Sequence, residues 1–151
     1  MSTMIFVRSI ATQNTQASPD NVAVDSGGNV YLSSNNSFAV VKLDSAGESK
    51  GVVGAVPLPT NPNVKLPPYI EAQALVTDYA DNLYIAGSPT SSQQNHYQIY
   101  KYDSAGDLVG TWNQSNSALG LAVDTADNIY ILSQGQVRSI VLQAVPVQRG
   151  P

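Results

Sequence analysis

Three aspartates recur in the same company. Asp25, Asp78 and Asp124 each stand four residues before an asparagine: Asn29, Asn82 and Asn128. Asp81 and Asp127 sit directly before the last two. Carboxylate and amide oxygens are the ligand types that hold calcium. A calcium loop, however, spreads its ligands over twelve residues and ends in a bidentate Glu. Asp-x-x-Asp-Asn lacks that spacing. Across motifs, 53 (78 − 25) and 46 (124 − 78) residues apart in sequence, the turns would lie at the outer edge of separate repeats, too far apart in space to share one ion. The reading that fits is turn chemistry. An Asp carboxylate accepts backbone N–H groups just ahead of it, and Gly or Asp then takes the left-handed conformation the turn needs.

The other reactive side chains are sparse. His96 is the single histidine, in Gln93-Gln94-Asn95-His96-Tyr97. A general base needs an orienting partner and a nucleophile within reach, and no motif supplies them. There is no Gly-x-Ser-x-Gly elbow, phosphate loop, zinc spacing or dinucleotide fingerprint. His96 is read as a solvent-facing loop residue. The chain has no cysteine, hence no disulfide, thiolate zinc site or Cys nucleophile. No catalytic residue, cofactor or metal is expected. Tyr31, Tyr84 and Tyr130 occupy one position in each repeat, and with Trp112 they could stack on sugar rings. Otherwise they pack between sheets with the hydroxyl satisfied at an edge. Lys42 and Lys101, each two residues before an Asp, are read as solvated or paired with a carboxylate.

The elements that carry these residues are legible from the repeat itself. Val22-Ala23-Val24-Asp25-Ser26-Gly27-Gly28-Asn29-Val30-Tyr31-Leu32 returns as residues 75–85 and again as 121–131. Each copy reads as strand, hairpin, strand. The apolar runs Val22 to Val24 and Leu121 to Val123 suit inner strands covered on both faces. A second block, Phe38 to Glu48, matches Tyr97 to Asp107: a third strand ending in Asp-Ser-Ala-Gly. Outer strands follow at Val52 to Val56 and Leu108 to Trp112. A period near 40–50 residues with several strands per unit points to propeller blades.

Here the chain resembles bacterial β-propeller repeats of the SBBP and NHL type. Their pattern runs apolar-Ala-Val-Asp-x-x-Gly-Asn-x-Tyr-Val, then Phe-Val-x-Lys-Leu-Asp-x-x-Gly. Residues 20–48 match almost throughout, 74–112 match with Asp81 replacing Gly, and 119–131 match the first half. The resemblance implies an all-β fold of three β-propeller-type blades of antiparallel strands. It does not imply an activity, because such repeats serve enzymes, binding modules and scaffolds. Propeller lactonases hold a central metal on tunnel-facing Glu, Asn and Asp, and the inner strands here carry none before the turn Asp.

One domain over 1–151 is expected, with blades at about 20–56, 73–113 and 119–143. The third blade has a strand at Val137 to Leu142 and then no repeat turn. Ile5 to Ile10 is therefore expected to complete a blade as an outer strand, as strands from the opposite terminus do in this family. Residues 57–68, with five prolines, form a stiff connection, and Gly87 to Asn95 a protruding loop. Three blades do not close a ring, since closed propellers carry four to eight. Two chains in a six-bladed twofold ring, a fragment of a longer propeller, or three sheets packed as a β-prism-like body or covered in a larger assembly would each resolve this. Completion by homo-oligomerisation, within a larger assembly, is expected.

Composition narrows the partners. Net charge is −4, and seven scattered Lys and Arg make no phosphate-binding patch, so no nucleic acid is expected. Charged residues are 12%, against an ordinary share near ~25%, and Asn, Gln, Ser and Thr replace them. No apolar run approaches the ~20 residues of a membrane span. The start, from Met1 to Arg8, has no signal-peptide pattern and the ends read as natural. The chain is expected to be made in the cytoplasm and to reach a virion or the outside by a non-classical route. The expected role is a non-catalytic structural or interaction protein in an oligomer. The alternatives are a glycan-binding module and, third, a fragment of a propeller hydrolase.

Overall fold

The computed structural model describes residues 19–34, 37–53, 70–89 and 97–141. Ile5 to Ile10, the proline-rich connection at 57–68 and His96 lie outside them, as does most of the loop expected from Gly87 onward. Its first three residues belong instead to a strand.

All described secondary structure is β, in three antiparallel sheets. Blade 1 is β1 (Asn21–Val24), β2 (Val30–Ser34), β3 (Ser37–Leu43) and β4 (Ser49–Val52). Blade 2 is β5 (Ile70–Thr77), β6 (Leu83–Pro89), β7 (Tyr97–Tyr102) and β8 (Leu108–Gln114). Blade 3 is β9 (Ala118–Val123), β10 (Asn128–Ser133) and β11 (Gln136–Val141). Within each blade sequential strands are spatial neighbours, the meander of a propeller blade. The fold is propeller-type and not closed.

One turn explains the sequential pairing. At Asp25, Asp44, Asp78, Asp103 and Asp124 the Asp carbonyl accepts the N–H three residues on. The Asp N–H donates to the carbonyl four residues on. The residue at the third position is always left-handed: Gly28, Gly47, Asp81, Gly106 and Asp127, with φ between 60° and 92°. This is a type I turn closed by a bulge, and it aims the two strands antiparallel. Because the turn at Asp44 closes at Glu48, β4 begins at once at Ser49. The outer strand of blade 1 is therefore earlier than the Val52 to Val56 expected from hydrophobicity.

The blades stack face to face through their inner strands. β5 packs against β1, β2 and β3 on one side and against β9 on the other. Two cores result. One joins Ala23, Tyr31 and Val40 of blade 1 to Leu75, Leu83, Ile85, Tyr100 and Tyr102 of blade 2. The other joins Ala74, Tyr84, Ala86 and Ile99 of blade 2 to Ala118, Ile129 and Ile131 of blade 3. Alternation along each strand makes this possible, since Tyr84 and Ile85 point to opposite faces.

The expectation that β1 and β9 are covered on both faces is corrected. Val22 and Val24 are exposed, and in β9 Leu119 and Ala122 are exposed while Leu121 and Val123 are half-buried. Only blade 2 has a blade on each side. On the face of blade 1 turned from blade 2, Leu32 and Leu43 are nevertheless buried.

Candidate functional site

Each repeated Asp is the hub of a small polar knot. Asp25 Oδ1 accepts the Asn29 N–H at 2.8 Å, and Oδ2 accepts Asn29 Nδ2 at 2.7 Å and the Tyr31 hydroxyl at 3.1 Å. Asp78 accepts the Ala80 and Asn82 N–H groups at 2.9 Å, Asn82 Nδ2 at 2.7 Å and the Tyr84 hydroxyl at 3.1 Å. Asp124 repeats this with Ala126, Asn128 and Tyr130, the hydroxyl at 3.0 Å. The carboxylates are thus filled by N–H and O–H donors of their own blade. Among the described residues, no three His, Asp or Glu side chains converge on a point that could hold a metal.

The donors set the electrostatics. Asn128, through its side chain and then its backbone N–H, holds the Asp124 carboxyl at about 2. Asp25 is also held below the usual carboxylate range. Burial, the largest influence there, opposes this, and the Asn29, Tyr31 and Lys42 interactions together outweigh it. The phenols move the other way. Burial, then the Asp78 charge, pushes the Tyr84 hydroxyl far up, and burial pushes Tyr100 up to about 12. The raised phenols keep their protons near neutrality, so Tyr84 can donate to Asp78 and Tyr100 to Gln98 Oε1.

Lysines complete the knots in two blades. Lys42 pairs across the sheet from Tyr31, and its Nζ lies 5.2 Å from the ring centroid. Lys101 pairs with Tyr84 at 5.1 Å and lies 3.9 Å from Asp78. These are cation–π contacts. Read as solvated or carboxylate-paired, the lysines have this second role hidden in the register: each is the cross-strand partner of a repeat Tyr. In blade 3 that partner is Ser139.

The aromatic positions diverge. Tyr31 and Tyr84 are 3% and 2% exposed, and a ring so buried offers a sugar no face. Tyr130 is half-buried, and Trp112 packs half-buried beside the core between blades 2 and 3. The hydroxyl–carboxylate bond was readable as a constant Asp-to-Tyr spacing of six residues. The links between blades were not. Asp81 accepts the Ser26 N–H at 2.7 Å and its hydroxyl at 2.8 Å. Thr77 Oγ1 donates to the Val24 carbonyl at 2.6 Å, and Ser117 Oγ to Gln73 at 2.7 Å.

A cleft of about 270 Å³ lies between blades 1 and 2, bordered by Tyr31, Lys42, Lys50, Tyr102 and the Asp103–Asp107 turn. Lys50 is engaged by Asp44 at 2.9 Å.

Comparison with known proteins gives fold likeness only. No family model and no curated protein matches the chain. Among solved structures, a protein of unknown function from Bacteroides caccae is similar at 12% identity and TM-score 0.38, over 83% of this chain and 57% of that one. A streptogramin B lyase is similar at 11% identity and TM-score 0.36, over 82% of this chain and 54% of the other. The chain thus spans a little over half the length of each. Neither likeness bears on activity.

Proposed function

We propose that this chain is a non-catalytic structural or interaction protein, built from SBBP- or NHL-like repeats, that works as part of an oligomer. One observation carries the reading. Apolar side chains are exposed at both ends of the blade stack: Leu119, Leu132 and Val137 on blade 3, and Val22 and Val24 on blade 1, where Leu32 and Leu43 of the same face are buried. Apolar side chains exposed together on one face mark an interaction site more often than scattered ones do. The polar knots support the reading from the other direction, because their reactive groups are consumed in holding turns. A charge-poor exterior suits a virion or surface accessory protein.

The test is mass in solution. Light scattering at micromolar concentration should give a multiple of 15.9 kDa. A monodisperse, folded single-chain species would overturn the proposal.

A further inference from the structure

The outer halves of blades 1 and 2 repeat each other in register, so matched positions can be compared. Lys42 pairs with Gly51 and Lys101 with Gly110, each beside the same register shift. Val53, whose N–H donates to the Val40 carbonyl at 2.8 Å, is then the counterpart of Trp112, which pairs with Ile99. The offset is 59 residues throughout (101 − 42, 110 − 51, 112 − 53). Both positions face the following blade: Val53 packs on the core between blades 1 and 2, Trp112 on the core between blades 2 and 3. What fills the space beside them differs. In blade 2 the indole folds back over Gly110, and a Cβ there would lie 2.6 Å from the Trp112 ring. In blade 1 Val53 is too short to reach back, and a Cβ on Gly51 would meet nothing within 4 Å. Gly51 stands at φ 100°, where a side chain is strained, so the position stays bare. The space left is the cleft of about 270 Å³, bordered by Gly51, Val53, Tyr31, Lys42, Leu83 and Tyr102.

We propose that this cleft binds a small, neutral, electron-rich aromatic ring of indole size, in the place that the Trp112 side chain takes one repeat later. Size permits it, since a cavity of about 150 Å³ accepts benzene. The walls offer apolar surface from Val53 and Leu83 and aromatic surface from Tyr31 and Tyr102, the kind of lining small-molecule clefts have. Charge selects an electron-rich ring over an aliphatic one. Lys42 borders the cleft, and its ammonium lies 5.2 Å from the Tyr31 ring centroid. A second π face across from Tyr31 is attracted by the same charge. The Lys50 ammonium, by contrast, is engaged by Asp44. Asp103 and Asp107 stand in the bordering turn and disfavour an acidic ring. The proposal holds whatever number of chains the assembly contains.

Indole is the probe, read by methyl-resolved NMR and calorimetry. At millimolar concentration it should shift the Val53 and Leu83 methyl signals and saturate at one molecule per chain. Cyclohexanol, which has no π face, should bind about tenfold more weakly. Val53→Trp should fill the cleft from within, as Trp112 does in its own blade, and abolish indole binding. Lys42→Met, which keeps an apolar stem and removes the charge, should weaken binding severalfold. No indole shifts at Val53 and Leu83, or equal affinity for cyclohexanol, overturns the proposal. So does unchanged indole binding by folded Val53→Trp or by Lys42→Met. Should Val53→Trp not fold, Trp112→Val supplies the converse. It opens the matching space between blades 2 and 3 and should add a second indole site; a single site there overturns the equivalence on which the proposal stands.

Discussion

At the scale of single residues, the Asp–Asn–Tyr knot is more than a turn cap. Loss of a local side-chain cap costs about 0.5–2 kcal/mol. Asp78→Ala also strands the hydroxyl of Tyr84, one of the most buried side chains, and an unsatisfied buried donor costs about 1–3 kcal/mol more. The expected loss is therefore about 1.5–5 kcal/mol by denaturant unfolding. Tyr84→Phe should cost only about 0.5–1.5 kcal/mol. The double variant should be less destabilised than the sum, since Phe leaves nothing to strand; strict additivity would mean that the two groups are not coupled. A second expectation concerns acid. The Asp124 carboxyl lies at about 2 when folded, against 3.8 ordinarily. A depressed folded value means stabilisation that is complete above the unfolded value and lost as pH falls through the folded one. The knot should hold to about pH 4 and weaken from there to about pH 2. Carbon-13 titration of the Asp124 carboxyl checks it, and a midpoint near the ordinary value would mean that the Asn128 bonds are absent in solution.

At the scale of elements, the five bulged turns look interchangeable, yet the residue in the left-handed position separates them. Gly28 takes φ 76° freely, whereas Asp81 and Asp127 take 61° and 60° at a cost. Asp127→Gly should relieve that cost and be neutral or stabilising, by up to about 1 kcal/mol. Asp81→Gly should destabilise, because the Asp81 carboxylate is the acceptor for Ser26 in the neighbouring blade. Paired thermal melts decide it, and the same sign for both would mean the cross-blade bond contributes nothing. The sequence foretold the turns and their strands because both follow from local rules, Asp ahead of a Gly or Asp and period-two apolarity. It did not foretell that Ser26 reaches Asp81 or that Val22 faces out. Those depend on which blade lies next to which, and neighbours are a property of stacking order, not of any window of residues. The onset of β4 at Ser49 was missed for the opposite reason. Apolarity placed the strand at Val52 to Val56, while the turn at Asp44 dictates where it starts.

At the scale of the whole molecule, a stack of three blades differs from a globule in how its stability is distributed. Blade 2 packs against a described blade on both sides, and each end blade against one. Repeat arrays gain stability from each junction in turn, so covering the exposed apolar side chains of an end blade should stabilise it. If a second copy covers them, folding and association share one equilibrium, and stability becomes a function of concentration. A tenfold rise in concentration is worth about 1.4 kcal/mol per associated pair, or about 0.7 kcal/mol per chain. At roughly 2–4 °C per kcal/mol for a chain of this length, the melting temperature should climb by roughly 2 °C per tenfold increase. The Val137→Lys chain should melt lower and at a temperature independent of concentration. Differential scanning calorimetry over two decades of concentration reads both. A wild-type midpoint that does not move with concentration would show that the blades are already as stable alone as they ever become, and that the exposed apolar side chains contribute nothing to the fold.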